Sequence, residues 1–321
     1  MGLLGERHRS KSIHEVISPT LLNKKKNRAC GSFFCAFDIL YTMKNLAYYN
    51  GAIGEAENMV VPFCDRVCFF GDGVYDATYA RNRKIFSLDE HLHRLYESAF
   101  RVQIEPPMDK NDLSRLLRSL VTRCDEAEHL LYVQFTRGIS IPRNHVFAGG
   151  KSNLWITVTP KAITPREKRL SLLSYPDKRY GLCSVKTLNL LPNVLASNRA
   201  AEKGCDEAVF TENGVVHECA HSNIHLLRNG TLLSAPPGEK VLGGIARKHL
   251  LHACIRNGIP VEERFFTVEE LLGADEVYVT SAGTLLSPCA FFDGTPVGGQ
   301  DRHTTDLLQN ELYRAFYACT D

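Results

Sequence analysis

Apolar residues recur with two different periods along the chain, which predicts a fold of mixed helices and strands. In residues 88–102 they return at spacings of three and four, the period of a helix with one buried face. Residues 113–121 repeat that pattern, whereas residues 131–136 and 154–159 are short apolar runs typical of buried strands. Helices and strands are therefore expected to alternate from about Met43 onward.

Turn and capping residues mark where the predicted elements begin and end. Pro192 lies in the first turn of a predicted helix and Gly204 just past its end, the usual asymmetry of these two residues. The capping-box patterns Ser87–Glu90 and Thr267–Glu270 predict two more helix starts. Tight hairpin turns are predicted at Asn50-Gly51, Asn213-Gly214 and Asn229-Gly230. The other predicted elements are a hairpin at 48–61, strands on both sides of Arg81-Asn82 within 69–86, a helix at 244–257 ended by Gly258, a strand at 276–280 and a helix from about 304 to 318.

A polar segment divides the chain into two parts. Residues 160–169 contain two prolines and five charged residues with little apolar content, as expected of a linker. We therefore predict a small N-terminal α+β domain over 43–160, a linker over 161–169 and a larger, strand-rich α/β domain over 170–321.

Residues 1–42 differ from the rest of the chain. They hold a basic cluster, Lys24–Arg28, followed by an apolar stretch, 33–41, that contains Asp38 and lacks a small-residue cleavage pattern. This combination argues against a secretory signal. We expect an upstream extension, either disordered or produced by a start codon assigned too early, with an organelle transit peptide as the alternative.

The composition excludes some classes of partner. Of the 321 residues, 44% are apolar and 23% charged, and the net charge of +2 requires neither nucleic acid nor an anionic membrane as a partner. No apolar run approaches the roughly 18 residues of a membrane span. The 11 cysteines contain no CxxC pair, which favours reduced thiols and a cytoplasmic protein. A non-enzymatic protein that binds nucleic acid through Lys24–Arg28 remains the alternative from another class.

Several polar residues are candidates for chemistry. Lys186 lies at the end of a predicted apolar strand, 184–188, and either reaches water or is buried with a lowered pKa, which would make it a nucleophile toward aldehydes. The pattern alone favours the first alternative. The loop 137–145 holds two arginines and a histidine, so it either binds a carboxylate or is simply solvated. Gly71-Asp72-Gly73 indicates an open turn.

Three histidines, His217, His221 and His225, are spaced by four residues. On a helix this spacing would indicate a metal site. The segment is predicted to be strand and loop, where that spacing does not bring the side chains together. We therefore predict no metal.

Ordered motifs make the chain resemble a known family. They are FGDGVYD (Phe70–Asp76), EHLHRLYES (Glu90–Ser98), TRG (Thr136–Gly138), PRNH (Pro142–His145) and the segment Val185–Val209. In this order, over about 46 to 318, they resemble the class IV aminotransferases, and the lysine segment is most similar to the D-amino-acid type. The resemblance implies a two-domain fold type IV enzyme that depends on pyridoxal 5′-phosphate.

The resemblance also implies roles for individual residues. Lys186 would bind the cofactor covalently and move a proton between the substrate Cα and the cofactor C4′. Glu218 would contact the pyridine nitrogen and Arg94 the phosphate, with Gly243-Gly244 allowing close approach of the backbone. The remaining cofactor contacts would be Ser222, Asn223, Leu242, Gly244, Ile245, Ala246, Ser281 and Ala282.

Tyr75, Arg143 and His145 match the residues that bind the substrate carboxylate in D-amino-acid aminotransferases, where the arginine and histidine come from the partner subunit. A homodimer with a shared active site is therefore implied. The implied reaction moves an amino group, in two half-reactions, between a D-amino acid such as D-alanine and a 2-oxo acid, 2-oxoglutarate or pyruvate. A branched-chain L-amino-acid aminotransferase and an aminodeoxychorismate lyase are the alternatives, and the Arg143–His145 pair disfavours both.

The chain departs from the family pattern at three positions. Ala246 stands where D-specific members usually carry threonine, Ala282 replaces a second hydroxyl, and His221 replaces a serine near Glu218. A lost neutral hydrogen bond costs about 1 kcal/mol. Cofactor binding should survive because Arg94, the helix amides, Ser281 and Thr284 remain.

Overall fold

The computed structural model describes residues 43–125, 127–147 and 149–321, so the predictions for residues 1–42 lie outside the described residues. The first part of the chain forms one antiparallel sheet of six strands, with two helices against it. Its elements are β1 (Leu46–Tyr49), β2 (Ala52–Glu55), α1 (Arg66–Phe70), β3 (Gly73–Arg81), β4 (Lys84–Ile85), α2 (Leu88–Arg101), α3 (Lys110–Val121), β5 (His129–Thr136) and β6 (Asn153–Pro160).

This first sheet has the strand order β2-β1-β6-β5-β3-β4. Strands β3 and β5 pair from Gly73 opposite Thr136 to Ala80 opposite His129, so β3 is held along almost its whole length. The leucines of α2 and α3 pack in one apolar core with the sheet, as their helical spacing predicts. The sheet and α2 therefore form a firm support for the polar residues that they carry.

The second part of the chain forms a larger, mixed sheet, which begins after residues 161–169, a segment without helix or strand. Its order is β12-β11-β10-β14-β15-β7-β8-β9-β13, with β16 paired to β15. Its elements are β7 (Leu170–Pro176), α4 (Leu191–Glu202), β8 (Glu207–Glu212), β9 (Val215–Cys219), β10 (Asn223–Arg228), β11 (Thr231–Ser234), α5 (Ile245–Arg256), β12 (Val261–Glu263), β13 (Phe266–Thr267), α6 (Val268–Leu272), β14 (Glu276–Thr280), β15 (Ser287–Phe292), β16 (Thr295–Pro296) and α7 (Arg302–Thr320).

Two parallel pairs in this sheet are each connected through a helix. Strands β7 and β8 are parallel neighbours with α4 between them in the chain, and β11 and β12 are parallel with α5 between them. The antiparallel pairs β8–β9 and β10–β11 turn at Asn213-Gly214 and Asn229-Gly230, where all four residues have positive φ, as these hairpin turns require. The hairpin predictions at these two sites are confirmed.

Most of the predicted elements are present, but three local predictions are wrong. Thr267 and Glu270 form the predicted capping box, whereas Ser87 adopts φ 46° and its side chain caps nothing. Phe69 and Phe70, predicted in a strand, lie in α1, because Asp65 caps that helix through the Val67 amide. Among the described residues, no helix is long and apolar enough to cross a membrane.

Lys186 is the third correction, because the predicted strand around it is a loop. The segment touches the edge of β3 through a single bridge between Thr187 and Val74. The Tyr75 amide donates to the Lys186 carbonyl at 3.0 Å, and the Lys186 amide donates to Ser98 Oγ at 3.3 Å. Contacts to β3 and α2, not a strand of its own, therefore hold the lysine.

Candidate active site

A cavity of about 420 Å³ gathers most of the residues that the motifs indicate. Its wall is built from β3 and α2, the loop that carries Lys186, the end of β9 with the turn after it, the start of α5 and the loop after β14. The predicted residues that line it are Tyr75, Arg94, Lys186, Glu218, Ser222, Asn223, Leu242, Gly244, Ile245, Ala246, Ser281 and Ala282.

Lys186 enters this cavity without an acidic partner among the described residues. Its Nζ lies 3.3 Å from Tyr75 Oη and 4.4 Å from the centre of the Tyr75 ring. The tyrosine ring in turn stacks on Tyr132 at 5.4 Å. The amine therefore sits at a fixed place beside a phenol and is not tied up in an ion pair.

Glu218 lies at the end of β9, buried, with both carboxylate oxygens bound. Oε2 accepts from the Leu242 amide at 2.9 Å and from Asn223 Nδ2 at 3.1 Å, and Oε1 accepts from Arg179. Burial raises the pKa of Glu218, and the positive charge of Arg179 opposes that rise. The site thus presents a carboxylate with fixed orientation to the cavity.

Hydrogen bonds also fix the Arg94 side chain in the cavity wall. Both oxygens of Asp76 accept from it at 2.8 Å, and its Nη1 donates to the Gly243 carbonyl at 3.1 Å. Burial disfavours the charged form of Asp76, but Arg94 and His91 outweigh burial and hold the pKa of Asp76 well below its usual range. A buried, permanently charged guanidinium therefore stands beside the start of α5.

The start of α5 has the features of an anion site. Gly244 caps the helix without a side-chain hydrogen bond, so the first amides, Ile245 and Ala246, have no side-chain acceptor. A Cβ on Gly244 would lie 2.0 Å from Asn223 Oδ1, so only glycine fits at this position. Ser281 and Thr284, whose hydroxyls lie 3.0 Å apart, complete the wall. Helix amides with an adjacent arginine suit a phosphate.

The structure does not bring Arg143 and His145 into the cavity of their own chain. Both are exposed, in the loop after β5, and neither lines the cavity. The Arg143 guanidinium stacks on Phe70 at 4.3 Å, and the His145 ring lies 5.0 Å from the same ring. Arg66 holds their loop by donating to the carbonyls of Asn144 and His145.

The side chains of the three histidines that are spaced by four residues contact different partners. His217 contacts Asp177 at 2.8 Å, His225 bonds Ser234 and Thr280, and His221 contacts Glu207 at 2.9 Å. Over the described part of the chain, no group of acids, histidines and cysteines forms a metal cluster.

Sequence reasoning missed several residues of this site because their partners lie far away in the chain. Arg179 pairs with Glu218, 39 residues later, and Asp76 with Arg94, 18 residues later. Glu207, which accepts from Ser222 Oγ at 2.8 Å, also carried no signal. The spacing of His91 and Arg94 on one helix face was the single available indication that Asp76 has partners there.

The donor set fits pyridoxal 5′-phosphate. An amine faces the centre of the cavity, a buried carboxylate suits a protonated pyridine nitrogen, and the arginine with the helix start suits the phosphate. Fold and site together define an aminotransferase that depends on this cofactor.

Comparisons with known proteins agree. The family model described as amino-transferase class IV matches residues 73–290, and the chain belongs to this family. It is 34% identical to a D-alanine aminotransferase of Listeria monocytogenes over 84% of this chain and 96% of that protein. It is also 34% identical to a D-alanine aminotransferase of Bacillus licheniformis, over 82% and 96%. The crystal structure of the branched-chain aminotransferase from Thermoproteus uzoniensis with norvaline has the same fold, with a TM-score of 0.76 and 21% identity over 84% of this chain and 95% of that one.

Proposed function

We propose that this protein transfers the amino group of a D-amino acid such as D-alanine to a 2-oxo acid, pyruvate or 2-oxoglutarate. The observation that carries the proposal is Lys186 Nζ beside Tyr75 in a cavity bounded by Glu218 on one side and by Arg94 with the start of α5 on another. The D-alanine aminotransferases at 34% identity support the D-amino acid as substrate. The branched-chain aminotransferase shares the fold at 21% identity, which supports no choice of substrate.

Three residues of the cavity hold the cofactor at its aldehyde, its pyridine nitrogen and its phosphate, and the others add further contacts. Lys186 binds the cofactor aldehyde, Glu218 holds the pyridine nitrogen protonated, and Arg94 holds the phosphate. When bound, the cofactor withdraws electrons from the substrate Cα and so makes its proton removable. The other cofactor contacts are Ser222, Asn223, Leu242, Gly244, the amides of Ile245 and Ala246, Ser281 and the backbone at Ala282.

Proton movement falls to Lys186. Lys186 Nζ would take up the proton of the substrate Cα that the bound cofactor makes removable, and would return a proton to complete the transfer. Tyr75, at 3.3 Å, keeps the amine at that place and supplies a hydroxyl for the substrate carboxylate. The preference for a D- or an L-amino acid then follows from where the substrate carboxylate is bound.

The carboxylate requires a partner subunit in this proposal. Arg143 and His145 are exposed in their own chain, where Arg66 holds the backbone of their loop and both side chains lie against Phe70. In this proposal they enter the cavity of a second copy. Large apolar side chains around this loop and at the start of α4 are also exposed, as expected of a dimer interface. They are Phe63, Ile141, Val146, Phe147, Leu191, Val194 and Leu195.

The proposal also includes the cellular compartment of the protein and its division into domains. Nine cysteines of the described residues are free thiols, which is consistent with a reducing, cytoplasmic compartment. The absence of helix and strand at 161–169, between the two sheets, supports the division into a small domain, a linker and a large domain.

A single half-reaction tests the function. The purified protein, loaded with pyridoxal 5′-phosphate, is mixed with D-alanine without any acceptor. We expect one pyruvate per active site and loss of the yellow colour, with no reaction from L-alanine. Lys186→Ala should give a protein that binds the cofactor reversibly and makes no pyruvate. Pyruvate from L-alanine but not from D-alanine would refute the proposal.

A further inference from the structure

Some of the positively charged side chains that line the cavity have acidic partners among the described residues, and others have none. Arg94 is paired with Asp76, and Arg179 with Asp177 and Glu218. Among the described residues that line the cavity, Glu218 is the single acid. Lys161 and Lys186 form no ion pair with any described residue. Lys186 is committed to the cofactor, so Lys161 is the cation without an assigned counter-charge.

His221 adds a second donor to this part of the wall. Its Nδ1 lies 2.9 Å from Glu207 Oε2, and the Glu207 carboxylate is buried behind it. The side chain of His221 is itself 63% exposed, and Nε2 has no partner in the described chain. Nδ1 donates to the carboxylate, so Nε2 also becomes a donor, on the other side of the ring, when the ring is protonated.

The surroundings of His221 favour the protonated form of its ring. Burial lowers the pKa of His221, but its hydrogen bond to Glu207 and the negative charge of that carboxylate outweigh burial and raise the pKa overall. The charges of Lys161 and Lys186 oppose the rise. His221, Lys161 and Lys186 all line the cavity.

Lys161 reaches the cavity from the segment that follows β6. Its amide donates to the Glu128 carbonyl at 3.0 Å, and the nearby Thr164 amide donates to the Gly283 carbonyl at 2.7 Å. These two bonds fix the backbone beside the loop that follows β14. The side chain is exposed and retains its freedom to meet a ligand.

We infer that Lys161 and His221 form a subsite for the distal carboxylate of a dicarboxylic substrate, of the class of 2-oxoglutarate and D-glutamate. The inference rests on the proposed function, which assigns Arg94 and the start of α5 to the phosphate, and Tyr75 with the partner's loop to the α-carboxylate. The Lys161 amine and the His221 ring remain, and a second carboxylate is the substrate group that these two nitrogen donors match.

The test compares two acceptors with one donor. Initial rates with D-alanine as donor are measured with 2-oxoglutarate, and with 2-oxobutanoate as an acceptor without a distal carboxylate. We expect Lys161→Gln and His221→Ser each to lower the ratio of the two kcat/KM values about tenfold, mainly because the dicarboxylate acceptor acquires a higher KM. Lys161→Arg should keep most of the ratio, and Lys203→Gln, an exposed lysine outside the cavity, should keep all of it.

Binding gives a readout independent of turnover. Glutarate and butanoate are titrated by isothermal titration calorimetry into the cofactor-loaded wild type and the same variants, and only the affinity for glutarate should fall. An unchanged ratio in both variants, or an equal loss for both acceptors, would overturn the subsite. If the wild type transfers no amino group from D-alanine to either acceptor, the proposed function fails, and glutarate titration still decides whether the subsite exists.

Discussion

At the scale of single residues, buried ion pairs hold two side chains of the candidate site, Arg94 and Glu218. Glu218 is fixed by Arg179, which also donates to Asp177 and to the Lys240 carbonyl. The guanidinium lies over Phe210 at 4.2 Å, so it has no freedom to swing away. Removal of one partner from a buried pair leaves an uncompensated charge, which costs far more than an exposed pair.

The first prediction concerns this pair. Arg179→Gln removes the positive charge that opposes the effect of burial on the pKa of Glu218, so that pKa rises further and the hold of Glu218 on the pyridine nitrogen weakens. We expect the dissociation constant of the cofactor to rise about tenfold, about 1.4 kcal/mol, measured by equilibrium dialysis. Arg169→Gln, which breaks the pair with Glu276 away from the cavity, serves as the control. Equal affinities for all three proteins would contradict the role of Arg179.

At the scale of elements, close packing restricts the sequence at the start of α5. The helix begins against Asn223, whose Nδ2 donates to the Leu242 carbonyl at 2.9 Å and to Glu218. One side chain thus connects the two ends of the cofactor site. The close approach of Gly244 to Asn223 Oδ1 makes that connection possible.

The second prediction follows from this contact. Gly244→Ala would place a Cβ 2.0 Å from Asn223 Oδ1, so either the helix start or the asparagine must move. We expect weaker cofactor binding, seen as faster loss of the yellow colour during gel filtration. Gly238→Ala, in the same segment but with no atom within 4 Å of its added Cβ, should bind as the wild type does. Identical retention by both variants would contradict a phosphate site at the start of α5.

Elements with local signals were predictable from the sequence, and those set by distant partners were not. The helices that begin after Thr267 and Gly244 have their capping residues next to them in the sequence, so the sequence pattern predicted both helices. The helix predicted after Ser87 is present as α2, but Ser87 adopts a left-handed conformation and its side chain forms no cap. Lys186 showed only an ambiguous pattern, and its proposed role came from the resemblance of the ordered motifs to the family. The partners of Glu218 and Arg94 required the fold.

At the scale of the whole molecule, the proposed function requires two copies of the chain. The cavity holds Tyr75 but not Arg143 or His145, so one subunit offers an incomplete site for the carboxylate. Exposed apolar residues lie in the loop of Arg143 and on α4. The domain division at 161–169 stays a prediction at this scale, since the two sheets are consistent with it without testing it.

The third prediction tests the pairing of subunits. Val194→Asp places a charge on α4, at a side chain that is 59% exposed in one chain and expected to be buried in a dimer. We expect a shift toward monomer in sedimentation velocity and a matching loss of activity at low protein concentration. Ile255→Asp, at an equally apolar residue that is 67% exposed on α5, should leave both unchanged. A fully active monomer would contradict the shared site.

The most direct test of the central claim is a steady-state transaminase assay with four donors: D-alanine, L-alanine, D-leucine and L-leucine. The wild type, Lys186→Ala and Arg143→Ala are compared with the same acceptor. We predict turnover of D-alanine by the wild type, none by Lys186→Ala, and a raised KM with retained cofactor for Arg143→Ala. Turnover of the L-amino acids alone would contradict the D-specific site, and loss of cofactor from Arg143→Ala would contradict the placement of its loop.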